Sequence, residues 1–140
     1  MTHKDMSINQ LHRVTTRHPV VQQRYEDWLV SASHQHGNSF CTFCSELRNH
    51  QVIRSLQTMF VIENRFPYEF FDGQAVKQHY LIVPLRHTDR FSQFTHREYE
   101  EYHEVLAAYH DQGFSSMTRS VVDTHRSVPG HLHTHLLTYN

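Results

Sequence analysis

Three histidines alternate with other residues near the C-terminus, in the segment His131-Leu-His-Thr-His-Leu-Leu. The segment is predicted to form a strand from about His131 to Tyr139, and residues i, i+2 and i+4 of a strand share one face. His131, His133 and His135 would therefore point to the same side, while the residues between them point towards a core or a helix.

Strand geometry argues against one zinc ion held by all three imidazoles. Same-face residues lie about 6.6 Å apart along a strand, so His131 and His135 are expected about 13 Å apart. Zinc–nitrogen bonds measure only about 2 Å, so neighbouring histidines could share an ion but all three could not. At least one of the three histidines therefore has a role other than binding that zinc ion.

A row of imidazoles is suited to chemistry at phosphorus. One imidazole can attack phosphorus and form a covalent intermediate, while a neighbour donates to a phosphate oxygen or to the leaving group. Adjacent imidazoles can also fix one another's tautomer. The alternative is a half-buried polar strand or a fortuitous metal-binding tract, because the chain contains 15 histidines.

The remaining sequence predicts the elements that position this strand. Pro19 to about His34 predicts a helix that Gly37 would stop. Thr95-His-Arg-Glu98 matches a capping box, so a second helix is predicted to run to about Gln112. Further strands are predicted at Gln51–Ser55, Thr58–Glu63, His79–Pro84 and Phe114–Val122.

The other segments are predicted to be irregular: residues 1–18 as a loose arm, 65–77 as a loop that packs down, and 123–130 as a polar loop. This order predicts an α+β fold, with a mainly antiparallel sheet, one long helix packed on it and an extra N-terminal helix. The 140 residues suffice for one compact domain, divided into an arm and helix (1–39) and a main unit (40–140).

Composition limits the class of protein. A formal net charge of −1 argues against non-specific electrostatic binding to nucleic acid polymers. The sequence has no apolar run of about 18 residues that would predict a membrane span. Its start also lacks the apolar stretch of a signal peptide, so a cytoplasmic location is expected.

Both cysteines lie in the motif Cys41-Thr-Phe-Cys44. In a cytosolic protein this spacing is more typical of a metal or redox site than of a structural disulfide. A thioredoxin-like redox site is the rival interpretation. It needs a preceding strand and a following helix, and the sequence predicts neither.

The histidine segment resembles the signature of the histidine-triad (HIT) family, His-φ-His-φ-His-φ-φ, in which φ is apolar and Thr134 is the one departure. Three upstream pieces resemble the family in the same order. They are the knuckle Cys41–Cys44, the nucleoside-contacting strand Phe60–Asn64 and the strand His79–His87, which ends in Pro-x-x-His. The resemblance covers about residues 40–138 and implies a nucleotide-binding catalytic domain, a purine nucleoside phosphate as substrate, and a homodimer.

The resemblance implies a role for each matching residue. His133 would be the nucleophile, His135 would contact the phosphate or leaving group, and His79 would support the triad. Asn64 falls at the position that holds the ribose or a neighbouring polar group. Ser127 is the candidate contact for the leaving group, although one extra residue separates it from the triad.

The stretch before the triad departs from the family, because its glycine-rich sequence is missing. Arg119 and Arg126 lie there instead and could hold phosphate, or could be solvated loop residues. The loop from Asn64 to His79 is also longer than in the best-known members. Substrate preference is therefore expected to differ.

In family members with a Cys-x-x-Cys knuckle, the two cysteines bind zinc with the Pro-x-x-His histidine and the first triad histidine. This implies a site of Cys41, Cys44, His87 and His131. Two thiolates and two imidazoles make a closed tetrahedral site, which is structural because no position is open to water. Such a site would fix His131 beside His133.

Three functions remain open at this point. The first is a nucleotide hydrolase or nucleotidyl transferase that acts at the α-phosphate through a nucleotidyl-histidine. The second is a catalytically weak nucleotide-binding module, motivated by the altered loop before the triad. The third is a metal-dependent hydrolase in which zinc activates water. The N-terminal helix, with Trp28, is expected to extend an interface or to cover the zinc knuckle.

Overall fold

The computed structural model describes residues 16–36, 41–46 and 50–140. Residues 1–15 of the predicted arm (1–18) and Gly37, the predicted helix stop, lie outside these ranges. In chain order the elements are α1 (Pro19–His36), α2 (Thr42–Glu46), β1 (Val52–Ser55), β2 (Met59–Glu63), β3 (Phe70–Phe71), β4 (Gln74–Pro84), a 3-10 turn (Phe91–Gln93), α3 (His96–Asp111), β5 (Ser115–Met117) and β6 (Thr134–Tyr139).

An antiparallel sheet forms the body of the described chain. Its strand order is β1-β2-β4-β6-β5, and β3 pairs with β4 at one end. The long strand β4 is central, with β2 on one side and β6 on the other. The register places His79 opposite Leu137, and Leu81 opposite His135. This confirms the predicted α+β class with a mainly antiparallel sheet.

The two faces of the sheet have different partners. Helix α3 packs on one face, where Val105 and Tyr109 join Ile82 and Leu136 in a buried cluster that also contains Met59, Val61, Phe94, Phe114 and Leu132. Side chains alternate along a strand, so the residues between these point to the opposite face. That opposite face carries His79 and His135.

Thr134, the one polar residue at an apolar position of the triad, is accommodated by α3. Its hydroxyl lies 2.8 Å from the hydroxyl of Tyr102 and 2.7 Å from that of Thr118. A buried hydroxyl with two partners avoids the cost of an unsatisfied polar group. The departure is therefore compensated locally and leaves the strand inside the core.

The predicted capping box begins α3. The Thr95 hydroxyl accepts from the Glu98 backbone N–H at 3.2 Å, and Glu98 accepts from the Thr95 backbone N–H at 2.8 Å. Gly113, just after the helix, has a φ of 101°, in the left-handed region that favours glycine and that commonly ends a helix. No helix within the described ranges is long and apolar enough to cross a membrane.

The prediction of a loop over residues 65–77 is wrong for its second half. Phe70–Phe71 pairs with the start of β4 across a turn at Asp72-Gly73, where φ is 52° and 74°. Positive φ at both central residues is typical of the tight turn that Asp-Gly favours between antiparallel strands. The hairpin extends β4 back to Gln74.

Two other strands are shorter than predicted: the last strand of the sheet and the strand that follows α3. The last strand begins at Thr134 rather than His131, because the Leu132 N–H donates to the carbonyl oxygen of Thr88 instead of joining the sheet. Strand β5 ends at Met117, which pairs with His135 near the start of β6. The residues after Met117 therefore have no length of β6 to pair with. The predicted strand over Phe114–Val122 is therefore only three residues long.

A buried carboxylate, Glu101, ties α3 to the turn between β1 and β2. It accepts from the backbone N–H and the hydroxyl of Thr58, both at 2.6 Å, and from the Gln57 N–H at 3.3 Å. Burial alone would raise the pKa of this carboxyl, but these hydrogen bonds outweigh it and hold the pKa below its usual range.

Replacing Glu101 with Gln is therefore expected to destabilise the fold by about 1–3 kcal/mol, because a charged acceptor of three hydrogen bonds is lost. Glu104→Gln is the matched control, since Glu104 is exposed and makes only a surface ion pair with Arg54. Urea unfolding followed by circular dichroism measures both. Equal midpoints for the two variants would contradict this role.

Candidate active site

The face of the sheet opposite α3 brings three of the predicted catalytic residues together. His79 on β4 and His135 on β6 lie on adjacent strands, and Nε2 of His79 is 2.8 Å from Nδ1 of His135. The ring of His133 follows, 5.2 Å from the ring of His135 between centres. All three side chains are buried.

Hydrogen bonds fix the tautomers of His79 and His135. The backbone N–H of Tyr68 donates to Nδ1 of His79 at 3.1 Å, so this nitrogen holds a lone pair and the proton of the neutral ring is on Nε2. That Nε2–H can then donate only to Nδ1 of His135. The proton of neutral His135 is left on its Nε2, so His135 offers an N–H to its surroundings.

His133 has the opposite tautomer. Its Nδ1 lies 3.0 Å from the carbonyl oxygen of His131, which can only accept, so Nδ1 carries the proton and Nε2 holds the lone pair. Burial, together with the positive charges of Arg126 and Arg119, lowers the pKa of His133 to about 4. A neutral imidazole with a free Nε2 is competent as a nucleophile.

The supporting histidines are also held neutral. Burial lowers the pKa of His79 to about 3, and the charge of Arg17 adds to this effect. Burial likewise places the pKa of His135 well below its usual value, with the neighbouring His79 as the next cause. Near neutral pH the site is therefore a row of uncharged imidazoles with defined donors and acceptors.

A small cleft of about 30 Å³ opens beside His135 and is bordered by Asn64 and Ser127. The side-chain oxygen of Asn64 accepts from the Phe66 N–H at 2.8 Å, and its amide nitrogen lies 3.3 Å from Nε2 of His79. Ser127 is half-buried and shares a hydrogen bond with the hydroxyl of Tyr25. Both predicted ligand-contacting residues therefore reach the cleft.

The two arginines before the triad differ in their surroundings. Arg126 is buried and donates to the carbonyl oxygens of Pro129 and Asp89 at 2.8 and 3.0 Å, so it braces the loop and is neither solvated nor free for phosphate. Arg119 is four-fifths buried beside the histidines, with an outer nitrogen 3.7 Å from Asp123. Its Nε has no hydrogen-bond partner among the described residues.

The four predicted metal ligands converge at the other end of the triad. The ligand atoms of Cys41, Cys44, His87 and His131 all lie within 4.8 Å of one another. Nε2 of His131 donates to the carbonyl oxygen of Pro84 at 2.8 Å, which leaves its Nδ1 lone pair facing the cysteines. Burial and the neighbouring Cys41 raise the pKa of the Cys44 thiol to about 11.

The spacing of these atoms fits a tetrahedral metal ion. Sγ of Cys41 lies 3.4 Å from Nδ1 of His131, and Sγ of Cys44 lies 3.5 Å from Nδ1 of His87 and 3.6 Å from Nδ1 of His131. Zinc bonds of about 2.3 Å to sulfur and about 2.0 Å to nitrogen, at a tetrahedral angle, separate these atoms by about 3.6 Å.

Sequence reasoning missed the contribution of α1 to this site. Tyr25 and Trp28 border the same cleft as His135, as does Arg17 just before the helix. The sequence predicted the helix but not the surface on which it packs. The ring of Trp28 packs on Phe66, and the expectation that α1 extends an interface or covers the zinc knuckle stays a prediction.

No protein-family model matches the chain, and no curated protein matches it. Solved structures do match its fold. A HIT family hydrolase from Legionella pneumophila Philadelphia 1 is 17% identical over 71% of this chain and 92% of its own, with a TM-score of 0.52. A HIT family hydrolase from Clostridium thermocellum is 19% identical over 73% and 92%, with a TM-score of 0.55. A histidine triad protein from Clostridium difficile is 17% identical over 71% and 91%, with a TM-score of 0.52. The chain therefore has a HIT-like fold.

Proposed function

We propose that this chain is a nucleotide hydrolase or nucleotidyl transferase that acts at the α-phosphate of a purine nucleoside phosphate. The observation that carries the proposal is the pair of opposite tautomers, a free Nε2 lone pair on His133 beside an Nε2–H on His135. In this proposal residues 40–140 are the catalytic domain, and residues 1–39 are an added arm and helix.

The first step is attack of Nε2 of His133 on the α-phosphorus, with departure of the leaving group. The new P–N bond makes the ring cationic, and the Nδ1–H donated to the His131 carbonyl oxygen stabilises that charge. His135 donates a hydrogen bond from its Nε2–H to the leaving group, which departs as an anion or, from a phosphoramidate, as an amine that solvent has protonated. Its own Nδ1 keeps the hydrogen bond from His79.

The second step breaks the P–N bond. Water attacks the α-phosphorus, or another acceptor does so in a transferase, and His133 leaves as a neutral imidazole. The attacking water gives up a proton to solvent, while His135 keeps its Nε2–H and donates a hydrogen bond from it to the reacting phosphate. The products are a nucleoside monophosphate and the leaving group, and the site returns to its starting tautomers.

The remaining polar groups are assigned to the substrate. Arg119 is proposed to donate its unpartnered Nε–H to a phosphate oxygen, since a buried donor without a partner costs about 1–3 kcal/mol. Ser127 at the edge of the cleft is proposed to contact the leaving group, and Asn64 the ribose. Their positions beside His135 support these roles.

Zinc is the proposed structural metal for Cys41, Cys44, His87 and His131, whose donor set and spacing suit a closed tetrahedral site. Four protein ligands leave no position for an activated water, which disfavours the metal-dependent hydrolase. A homodimer and a cytoplasmic location, both implied at the level of sequence, stay predictions. The catalytically weak nucleotide-binding module is the alternative that the altered loop before the triad favours.

Replacing His133 with Ala is expected to lower turnover by at least about a thousandfold, because the nucleophile is lost. The assay is product formation from adenosine phosphoramidate, diadenosine tetraphosphate and an adenylyl sulfate. His103→Ala, at an exposed histidine of α3, is the matched control and should retain full activity. Turnover by the His133 variant equal to wild type would refute the assignment.

A wild type that binds nucleotide tightly but turns none over, even in long incubations, would favour the binding module instead. Circular dichroism of each variant separates loss of catalysis from loss of fold. The His133 side chain is not among the metal-ligand atoms, so its removal should leave metal content unchanged.

Metal content tests the second part of the proposal. The purified wild type should contain about one zinc per chain, and Cys44→Ser or His87→Ala should retain less than about a tenth of it, with a lower melting temperature. Ser45→Ala is the control, because Ser45 lies in the same short helix but outside the ligand set. Elemental analysis showing no zinc in wild type would contradict the metal assignment.

A further inference from the structure

The candidate catalytic rings are almost fully covered. The side chains of His79, His133 and His135 belong to residues that are 3, 3 and 2% exposed. The cleft beside His135 measures about 30 Å³, which is room for about one water molecule. Sites that bind small molecules measure about 300–1,000 Å³. A nucleoside phosphate can therefore reach His133 only if part of this cover moves.

Two groups of residues border the small cleft. One group belongs to α1 and the residues just before it, namely Arg17, Tyr25 and Trp28. The other group belongs to the body of the protein and includes Ser127, His135 and Phe43. The ring centre of Phe43 lies 5.2 Å from that of His133. Displacement of the first group would widen the cleft beside His135 and Phe43, and so towards His133.

The α1 side chains are held by other protein groups. The Arg17 Nε–H donates to the Phe66 carbonyl oxygen at 2.7 Å, and the guanidinium lies 4.3 Å from the ring centre of Tyr25 and 5.2 Å from that of Tyr68. The ring centre of Trp28 lies 5.4 Å from that of Phe66. These contacts close the cleft from the α1 side.

The start of α1 is tethered beyond the cleft. The backbone N–H of Thr16 donates to the Phe70 carbonyl oxygen at 3.0 Å, and the Phe70 N–H donates back at 3.1 Å. Phe66 and Phe70 both belong to the segment between Asn64 and His79, whose length departs from the HIT pattern, and α1 lies outside the resemblance altogether. Two departures of this chain from the family therefore pack against each other over the candidate site.

The closed position of α1 occupies a group that the substrate needs. The Tyr25 hydroxyl shares a hydrogen bond with Ser127, the proposed contact of the leaving group. The outer side of the helix is free of such contacts, since Val20 and Val30 are 61 and 60% exposed. A helix of 18 residues attached along one side is an element that can open locally without unfolding the sheet.

We propose that α1 is an autoinhibitory lid, closed in this structure, which must leave Phe66 and Ser127 before a nucleotide can bind. The inference rests on the proposed function, since it takes the cleft beside His135 as the nucleotide site. Only the open fraction of the molecules is competent to bind, so the lid raises the apparent dissociation constant by the inverse of that fraction. Anything that weakens the contacts of α1 should therefore strengthen nucleotide binding.

Hydrogen exchange of the full-length wild type follows the lid directly. Calorimetry first sets a saturating concentration of adenosine 5′-monophosphate, and exchange is then measured by mass spectrometry with and without this ligand. The amides of α1 are expected to exchange about tenfold faster or more in the presence of the nucleotide, because the detached helix frays. Helix α3, of 16 residues, is the internal control and should be unchanged.

Variants of α1 provide the second readout. Tyr25→Phe keeps the ring but loses the bond to Ser127, and Trp28→Ala loses the packing on Phe66. Each should lower Kd for adenosine monophosphate and KM for a nucleotide substrate by about threefold to tenfold, with little change in kcat. Val30→Ala, on the exposed side of the same helix, should match wild type. Circular dichroism confirms that each variant is folded.

Two results would overturn the inference. One is binding of adenosine monophosphate to the wild type while exchange of α1 stays the same or slows. The other is unchanged or weaker nucleotide binding in both Tyr25→Phe and Trp28→Ala. Either result, together with turnover that is lost in His133→Ala, refutes the lid and leaves the proposed function standing. Faster exchange of α1 on nucleotide binding, with no turnover by wild type or Trp28→Ala, supports the lid and refutes the proposed function.

Discussion

The hydrogen bond from the Tyr68 backbone N–H to Nδ1 of His79 determines where the protons of His79 and His135 lie. A backbone N–H can only donate, so the direction of the hydrogen bond between these two rings is fixed. His79 must donate to His135, and His135 must present its remaining N–H outwards. Burial lowers the pKa of both rings, so neither takes up a second proton near neutral pH. The direction of the hydrogen bond between His79 and His135 is therefore kept.

The sheet and the ligand cluster hold the two ends of the triad in different ways. His135 is placed by the pairing of β6 with β4, which brings it beside His79. His131 is placed by the Pro84 carbonyl oxygen and by the cysteines of the knuckle. His133 lies between these anchors, and its donor bond to the His131 carbonyl oxygen links its tautomer to the backbone at the ligand end.

The alternation of the triad segment was predictable from sequence, but the residue at which the segment joins the sheet was not. Leu132 and Leu136 enter the core under α3 as expected, and Thr134 finds hydroxyl partners there. A straight strand from His131 failed, because the Leu132 N–H bonds to the loop residue Thr88, far away in sequence. The Asp72-Gly73 hairpin had a sequence signal in its turn dipeptide, whereas the Tyr68 bond to His79 uses a backbone group that every residue type offers.

The metal-ligand set was implied by the resemblance to the HIT family, and its four residues converge in the structure. No sequence pattern predicted where α1 docks, because an apolar helix face indicates that the face is buried but not which surface covers it. In the structure, Trp28 packs on Phe66 and Arg17 donates to the Phe66 carbonyl oxygen, and these contacts place α1 beside the cleft.

The central claim is that Nε2 of His133 becomes covalently bonded to the α-phosphorus. The most direct test mixes the wild type with adenosine phosphoramidate, quenches within one turnover under denaturing conditions that preserve P–N bonds, and maps the modified residue by fragmentation mass spectrometry. The account predicts one adenylyl group, attached to His133. An adduct on another residue, or product formed with no adduct under conditions that preserve a synthetic phosphohistidine, would contradict it.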